Sequence, residues 1–193
     1  MKKIVFDLDD TLWNLNKRAC ELTGIDYNKI TTFKATENRN LTIDEKNKLL
    51  NMYQNPSLWD HITYCKGAEY IHKLEKLGVK VYINTNCMTK SVADFKRKFL
   101  SRDLHLPNDQ IIIKVEESTN HKILDSDVFI FVDDSSFNIE KSTAKYTIIP
   151  NKPWNQTVVN NNSDLLRFNS LIDIINCIEI LVTGKNNCLL DYM

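Results

Sequence analysis

Two stretches of the chain place carboxylates where chemistry could use them. VFDLDDTLW (5–13) runs an apolar segment straight into Asp7, Asp9, Asp10 and Thr11, and FIFVDD (129–134) ends the same way in Asp133 and Asp134. If both apolar runs are strands of one parallel sheet, their C-terminal ends bring these carboxylates to the same edge. Like charges so close repel strongly in a low dielectric unless a cation neutralises them. Hard oxygen ligands suit Mg²⁺, which takes one or two carboxylates, keeps several waters and completes its shell with phosphate oxygens. A calcium-binding helix-loop-helix is excluded, because the sixth and twelfth positions counted from Asp7 are Leu12 and Arg18 rather than Gly and Glu. Acidic residues in solvated loops would account for either cluster alone, but poorly for two clusters that each follow a buried-type strand.

The elements that must position these groups are legible as short apolar runs rich in β-branched residues: 4–6, 79–83, 111–115, 128–132 and 146–149. Each is continuous rather than alternating, as in strands covered on both faces. Helical patterns separate them. Ala68, Ile71, Leu74 and Leu77 recur at helical spacing over 66–77, with Gly78 placed to end the helix. Val92, Phe95, Phe99 and Leu100 form one face over 90–104, while the basic run Lys96, Arg97, Lys98 and Arg102 wraps that helix and reads as solvated surface. Residues 164–183 read as a helix packed on the sheet. Alternating strands and helices predict a three-layer α/β domain with a Rossmann-like parallel sheet.

One segment breaks the alternation. No convincing strand occurs between the first strand and residue 66, and helical patterns lie near 14–23 and 43–53. We read 14–64 as a small helical cap inserted after the first strand, with 1–13 and 65–193 as the core domain. That insertion lies over the carboxyl ends of the strands, where open α/β sheets bind ligands.

Composition narrows the function classes. The 193 residues carry 25 Lys+Arg against 25 Asp+Glu, so there is no basic surplus to neutralise a nucleic-acid backbone. At 42% hydrophobic residues the chain can bury a core without disulfide staples. Cys20, Cys65, Cys87, Cys177 and Cys188 are odd in number and scattered, which fits a reducing compartment better than a disulfide framework or a zinc site. No apolar run reaches the roughly 20 residues of a membrane span, and Asp7 interrupts any leader sequence. A cytoplasmic location, with no nucleic acid or membrane partner, is the expectation.

Asp-x-Asp-x-Thr at 7–11 resembles the first motif of the haloacid dehalogenase (HAD) superfamily of phosphatases. INTN (83–86) resembles the second, in which a hydroxyl, here Thr85 beside Asn86, holds the phosphate. Asp133-Asp134 resembles the acidic fourth motif, and Lys122 is the best match for the third-motif lysine, ahead of Lys90, Lys96 and Lys98. The resemblance implies a HAD core and a Mg²⁺-dependent phosphomonoesterase. In it Asp7 is the nucleophile, Asp9 the general acid and base, and Thr85 and Lys122 bind the phosphate. The metal is held by Asp7, Asp9 through its backbone carbonyl, and Asp133, with Asp134 ordering metal-bound water. Each role has a bland counterpart: Thr85 as a strand-end residue, Lys122 as a solvated lysine, Asp134 or Asp10 as a helix cap.

A narrower resemblance, to the deoxyribonucleotidases, rests on 58–86, FVDDSSFNI (131–139) and YTIIPNKPWNQ (146–156), Pro153-Trp154-Asn155 above all. It implies deoxynucleoside monophosphates as substrates of a monomer or homodimer. The chain departs from that family at Asp10, where Gly is usual, at Thr85-Asn86-Cys87 and at Asp133-Asp134-Ser135-Ser136. A nucleotidase needs a flat apolar slot, and Leu15, Phe33, Trp59 and Trp13 are the candidates to line it. The rival readings are another small-cap HAD phosphatase acting on sugar phosphate or phosphotyrosine, a phosphoacceptor receiver domain, and a HAD relative that has lost activity. Receivers lack the long insertion after strand one and place the acceptor Asp on a middle strand.

Overall fold

Val and Ile crowd five short segments of this chain, and all five are strands in the computed structural model, which describes residues 1–115, 122, 127–159, 161 and 164–185. They are β1 (Lys2–Phe6), β2 (Val79–Cys87), β3 (Ile111–Val115), β4 (Val128–Val132) and β5 (Tyr146–Pro150), joined by β6 (Asp164–Phe168). The sheet is parallel throughout, in the order β3-β2-β1-β4-β5-β6. The chain therefore winds outward from β1 to β3, then returns to the other side of β1 with β4. Ligands of such sheets bind at that reversal, outside the carboxyl ends of the strands. Here the reversal lies between the ends of β1 and β4, one residue before Asp7 and Asp133.

Alternation along the strands feeds two cores. Ile4, Phe6, Val81, Ile83, Ile130 and Val132 enter the larger one, with Ile174, Ile175 and Ile178 of helix α5 (Leu171–Thr183). Val5, Phe131 and Ile149 enter the smaller one, against Ile139 of helix α4 (Ser136–Lys141).

Two elements differ from expectation. The stretch 164–183 is not one helix: 164–168 pairs in parallel with β5, and Ser170 then starts α5 by accepting the Asp173 N–H at 3.1 Å. DLLRF has no β-branched residue, so the sequence carries no strand signal there. The helix Ala68–Leu77 winds as a 3-10 helix rather than an α-helix. Its apolar residues 68, 71, 74 and 77 stand three apart, which three residues per turn align on one face. Gly78 ends it in the left-handed region (φ 75°), its N–H donating to the Glu75 carbonyl.

Between β1 and that 3-10 helix lie α1 (Leu15–Thr23), α2 (Ile43–Gln54) and three short 3-10 segments, Tyr27–Lys29, Ala35–Glu37 and Pro56–His61. α2 opens with a capping box, in which Thr42 Oγ1 accepts the Glu45 N–H and Glu45 Oε2 accepts the Thr42 N–H. The two ends of this excursion run side by side. Trp13 bridges Tyr64, Asn14 N–H donates to the Thr63 carbonyl at 3.0 Å, and Cys65 N–H donates to the Leu12 carbonyl at 2.7 Å. No helix among the described residues is long and apolar enough to cross a membrane. Cys20, Cys65, Cys87 and Cys177 are free thiols, and Cys188 lies outside the described residues.

Candidate active site

β1 delivers Asp7 to the sheet edge with its backbone still in the ladder, the Asp7 N–H donating to the Val132 carbonyl at 2.7 Å. The chain then turns sharply: Leu12 and Trp13 both donate to the Leu8 carbonyl. The turn needs a left-handed residue, and Asp10 supplies it at φ 55°, a conformation that Asp and Asn tolerate better than most side chains. Asp10 Oδ1 accepts the Asn16 N–H in the first turn of α1 at 3.0 Å, so Asp10 is a buried helix-start group rather than a solvent-facing one.

β4 delivers Asp133 and Asp134, which are 0% and 1% exposed. Asp133 Oδ1 accepts the Ser135 N–H at 2.8 Å, and its Oδ2 accepts from Asn138 Nδ2 (3.0 Å) and Lys122 Nζ (2.8 Å). Lys122 Nζ also donates to Asp7 Oδ1. Lys122 thus bridges the tips of β1 and β4, and the solvated-lysine alternative does not describe it. Asp134 is held by the segment that follows β5. Trp154 Nε1 donates to its Oδ2 at 2.9 Å, and Asn155 Nδ2 donates to its carbonyl at 2.9 Å. Arg167 of β6 in turn grips Asn155, donating to its side-chain and main-chain oxygens at 2.8 Å each.

β2 delivers Thr85, fully buried at its C-terminal end and 3.4 Å from Asp9 Oδ2. Asn86 follows, and its backbone carbonyl accepts from Lys96 Nζ at 3.0 Å. Lys96, on helix α3 (Lys90–Asp103), is 1% exposed and donates to Asp9 Oδ2 at 2.5 Å and to Thr85 Oγ1 at 3.0 Å. Lys96 is therefore not part of a solvated basic face. The sequence offered it as an alternative to Lys122 for the third-motif lysine, and it stands one turn after Val92 on an otherwise apolar stripe.

Asp7, Asp133 and Asp134 each offer an oxygen, and these oxygens lie within 4.8 Å of one another. The Asp9 carboxylate is outside that group, engaged with Lys96 and Thr85; in the sequence-based ligand set Asp9 contributed its backbone carbonyl. Burial pushes Asp133 up to about 6, with Lys122 pulling it down and Asp7 pushing it further up. Burial also holds Asp134 well above the usual carboxylate range, reinforced by the charges of Asp7, Asp133 and Asp10. Burial raises Asp9 against the pull of Lys96. Burial pushes Lys122 down, but Asp133 and Asp7 outweigh it and hold the ammonium above its ordinary value. Three buried carboxylates with hard oxygen donors and mutual repulsion make a donor set that fits Mg²⁺.

The residues expected to form an apolar slot are arranged differently. Trp13 and Trp59 are 0% and 2% exposed and pack on each other with ring centroids 5.5 Å apart. The Trp59 ring meets Lys96 Nζ at 4.9 Å. Leu15 is half-buried at the start of α1, and Phe33 is exposed. A cavity of about 270 Å³ opens instead beside the Asp10 turn, between Thr11, Asn14, Cys65 and Lys66 on one side and the ends of β5 and β6 on the other. Lys152 lines it, and no carboxylate does.

No protein-family model matches the chain, and no curated protein sequence matches it significantly. Solved structures do. A hydrolase from Pseudomonas syringae is 16% identical over 93% of this chain and 98% of its own, with a TM-score of 0.52. A haloacid dehalogenase-like family hydrolase from Streptococcus pneumoniae is 13% identical over 91% and 97%, with a TM-score of 0.55. YfnB from Bacillus subtilis, described as a HAD-hydrolase bound to magnesium, is 17% identical over 93% and 99%, with a TM-score of 0.52. The fold of this chain is that of the haloacid dehalogenase-like hydrolases.

Proposed function

We propose that the chain is a Mg²⁺-dependent phosphomonoesterase of the HAD type that works through a phosphorylated Asp7. One observation carries this reading: the ends of neighbouring strands β1 and β4 bring Asp7, Asp133 and Asp134 within 4.8 Å, and Lys122 bridges Asp7 to Asp133. Asp7, Asp133 and Asp134 would hold the ion. Bound there, it supplies the positive charge that lets a phosphate dianion approach a carboxylate nucleophile.

Asp7 attacks phosphorus in line, and the bond to the ester oxygen breaks as the bond to the carboxylate forms. Asp9 gives its proton to the departing oxygen, then takes one from the water that opens the acyl phosphate. Its environment suits both tasks: burial favours the protonated acid, and Lys96 stabilises the carboxylate left behind. At 23% its side chain is also more open than those of Asp7 (7%) and Asp133 (0%), so a leaving group can reach it. Thr85 donates its hydroxyl to a phosphoryl oxygen, and Lys122 spreads positive charge over the phosphate and the nucleophile. The excursion 14–64 serves as a cap over this edge, pinned where it leaves and re-enters the core.

The narrower substrate reading, deoxynucleoside monophosphates, is supported by the resemblance at 58–86, 131–139 and 146–156. The burial of Trp13 and Trp59, and a cavity whose charged lining residues are Lys66 and Lys152, favour a second reading, a smaller phosphate ester with anionic character. With Mg²⁺ present, a panel of dUMP, dTMP, UMP, sugar phosphates and a phosphotyrosine peptide separates the two. Preferential turnover of dUMP or dTMP supports the nucleotidase. Turnover of sugar phosphates with none of any deoxynucleotide replaces it with the second reading, and no turnover of any ester defeats both.

A further inference from the structure

The buried stripe of α3 runs Val92, Lys96, Leu100, so an ammonium occupies the middle of an apolar helix face. Desolvating an ammonium costs several kcal/mol unless its protons are met by good acceptors. Lys96 Nζ has three protons and three acceptors: Asp9 Oδ2, Thr85 Oγ1 and the Asn86 carbonyl, at 2.5, 3.0 and 3.0 Å. The Trp59 ring adds a face 4.9 Å away. The lysine is thus locked in place.

Its effect on Asp9 is asymmetric. Oδ2 accepts from Lys96 and lies 3.4 Å from the Thr85 hydroxyl. Oδ1 has no hydrogen-bond partner among the described residues, so Lys96 is the charged group that sets the orientation of this carboxyl. We propose that Lys96 is a positioning residue that, by holding Oδ2, fixes the rotation of the Asp9 carboxyl from which the proton is transferred. The proposal rests on the phosphomonoesterase reading. As the phosphorus–oxygen bond breaks, the Asp9 proton passes to the leaving oxygen, and Lys96 faces the charge of the resulting carboxylate. In the second half-reaction Asp9 takes a proton from water while the water oxygen bonds to phosphorus and the bond from Asp7 to phosphorus breaks.

A lysine that merely ties α3 to the sheet would affect all substrates alike. One that aims a general acid matters most where the leaving oxygen needs a proton. The test compares phenyl phosphate, a poor leaving group, with p-nitrophenyl phosphate, a good one, under saturating Mg²⁺. Lys96→Met keeps the stem and deletes the charge. General acid catalysis is worth about 10²–10⁴-fold, so kcat/KM on phenyl phosphate should fall by about 10²-fold or more and on p-nitrophenyl phosphate by about tenfold or less. That ratio is compared because it covers the steps up to release of the leaving group and excludes hydrolysis of the phosphoenzyme common to both esters. Equal losses of kcat/KM on the two esters, or no loss, overturn the proposal while leaving the phosphatase reading intact. Failure of the wild-type protein to hydrolyse either ester sinks both. If Lys96→Met does not fold, Lys96→Gln is judged by the same ratio, and failure of both to fold assigns Lys96 a structural role instead.

Discussion

Trp154→Phe isolates the support beneath the carboxylate cluster. Phe keeps most of the ring and removes one donor, the indole N–H that reaches Asp134 Oδ2 at 2.9 Å. A hydrogen bond to a charged group contributes about 1.5–3 kcal/mol net, equivalent to roughly 10- to 150-fold in an equilibrium constant. Asp134 keeps two other contacts, Asn155 on its carbonyl at 2.9 Å and the Thr11 hydroxyl 3.5 Å from Oδ1. The loss should therefore sit at the lower end, about 10- to 30-fold in Mg²⁺ affinity, within the range seen when a metal ligand loses an outer-shell partner. Isothermal titration with Mg²⁺ reads the affinity directly, and the dependence of initial rate on Mg²⁺ gives the same midpoint through activity. The expected result is a midpoint moved to higher Mg²⁺ with the rate at saturation close to wild type. A lower rate at saturation with an unmoved midpoint would show that Trp154 acts on the substrate side, and the reasoning from Asp134 would be wrong.

Three further outcomes are expected. Asp7→Asn should abolish ester hydrolysis, as should chelation by EDTA; activity surviving in either would refute the aspartyl-phosphate mechanism. Burial pushes Asp10 from 3.8 up to about 7, so the folded state holds that proton more tightly than the unfolded chain. That contribution to stability is full below the unfolded value and is lost as pH rises toward 7 and beyond. Asp10→Asn tolerates the left-handed turn and can still accept from Asn16, so relative to wild type it should gain stability from pH 5 to pH 8, by on the order of a few kcal/mol, in urea melts. Parallel pH curves for the two proteins would contradict this. Gly67 sits at φ 106°, where an added Cβ would lie 3.0 Å from Ile172 Cγ1 and 3.4 Å from its backbone nitrogen. Gly67→Ala should cost about 1–3 kcal/mol, lowering Tm by about 2–4 °C per kcal/mol, and an unchanged melt would disprove that close approach.

Where the sequence was legible, a single physical signal dominated. β-branched runs ending in Asp marked β1 and β4, and their parallel pairing follows from the alternation of strand and helix. Thr85 was singled out through the resemblance of INTN (83–86) to the second HAD motif, and it lies near the C-terminal end of β2. β6 was not legible, because Leu165, Leu166 and Phe168 suit a helix as well as a strand and only pairing with β5 decides. Lys96 was hidden by its basic neighbours: Arg97 turns to the Asn108 and Ile111 carbonyls and Arg102 to Asp103, so one charge of the run faces inward. Trp154 and Asn155 stood out as a motif, but their work on Asp134 depends on a contact across 20 residues that no local pattern encodes.

The paired bonds that close the base of the helical excursion also bear on how this chain could be re-engineered. Leu12, Asn14, Thr63 and Cys65 clasp where the chain departs and returns, so the polypeptide beyond that clasp forms a nearly closed loop. Away from Trp59, which packs on Trp13 and Lys96, its length can then vary without dragging on β1. New chain ends opened near Asn40, or a foreign segment grafted there, would leave the sheet to fold around the same edge. Under the proposed phosphatase reading, substrate choice would be the property freest to drift, and the chemistry at the tips of β1 and β4 the most firmly anchored.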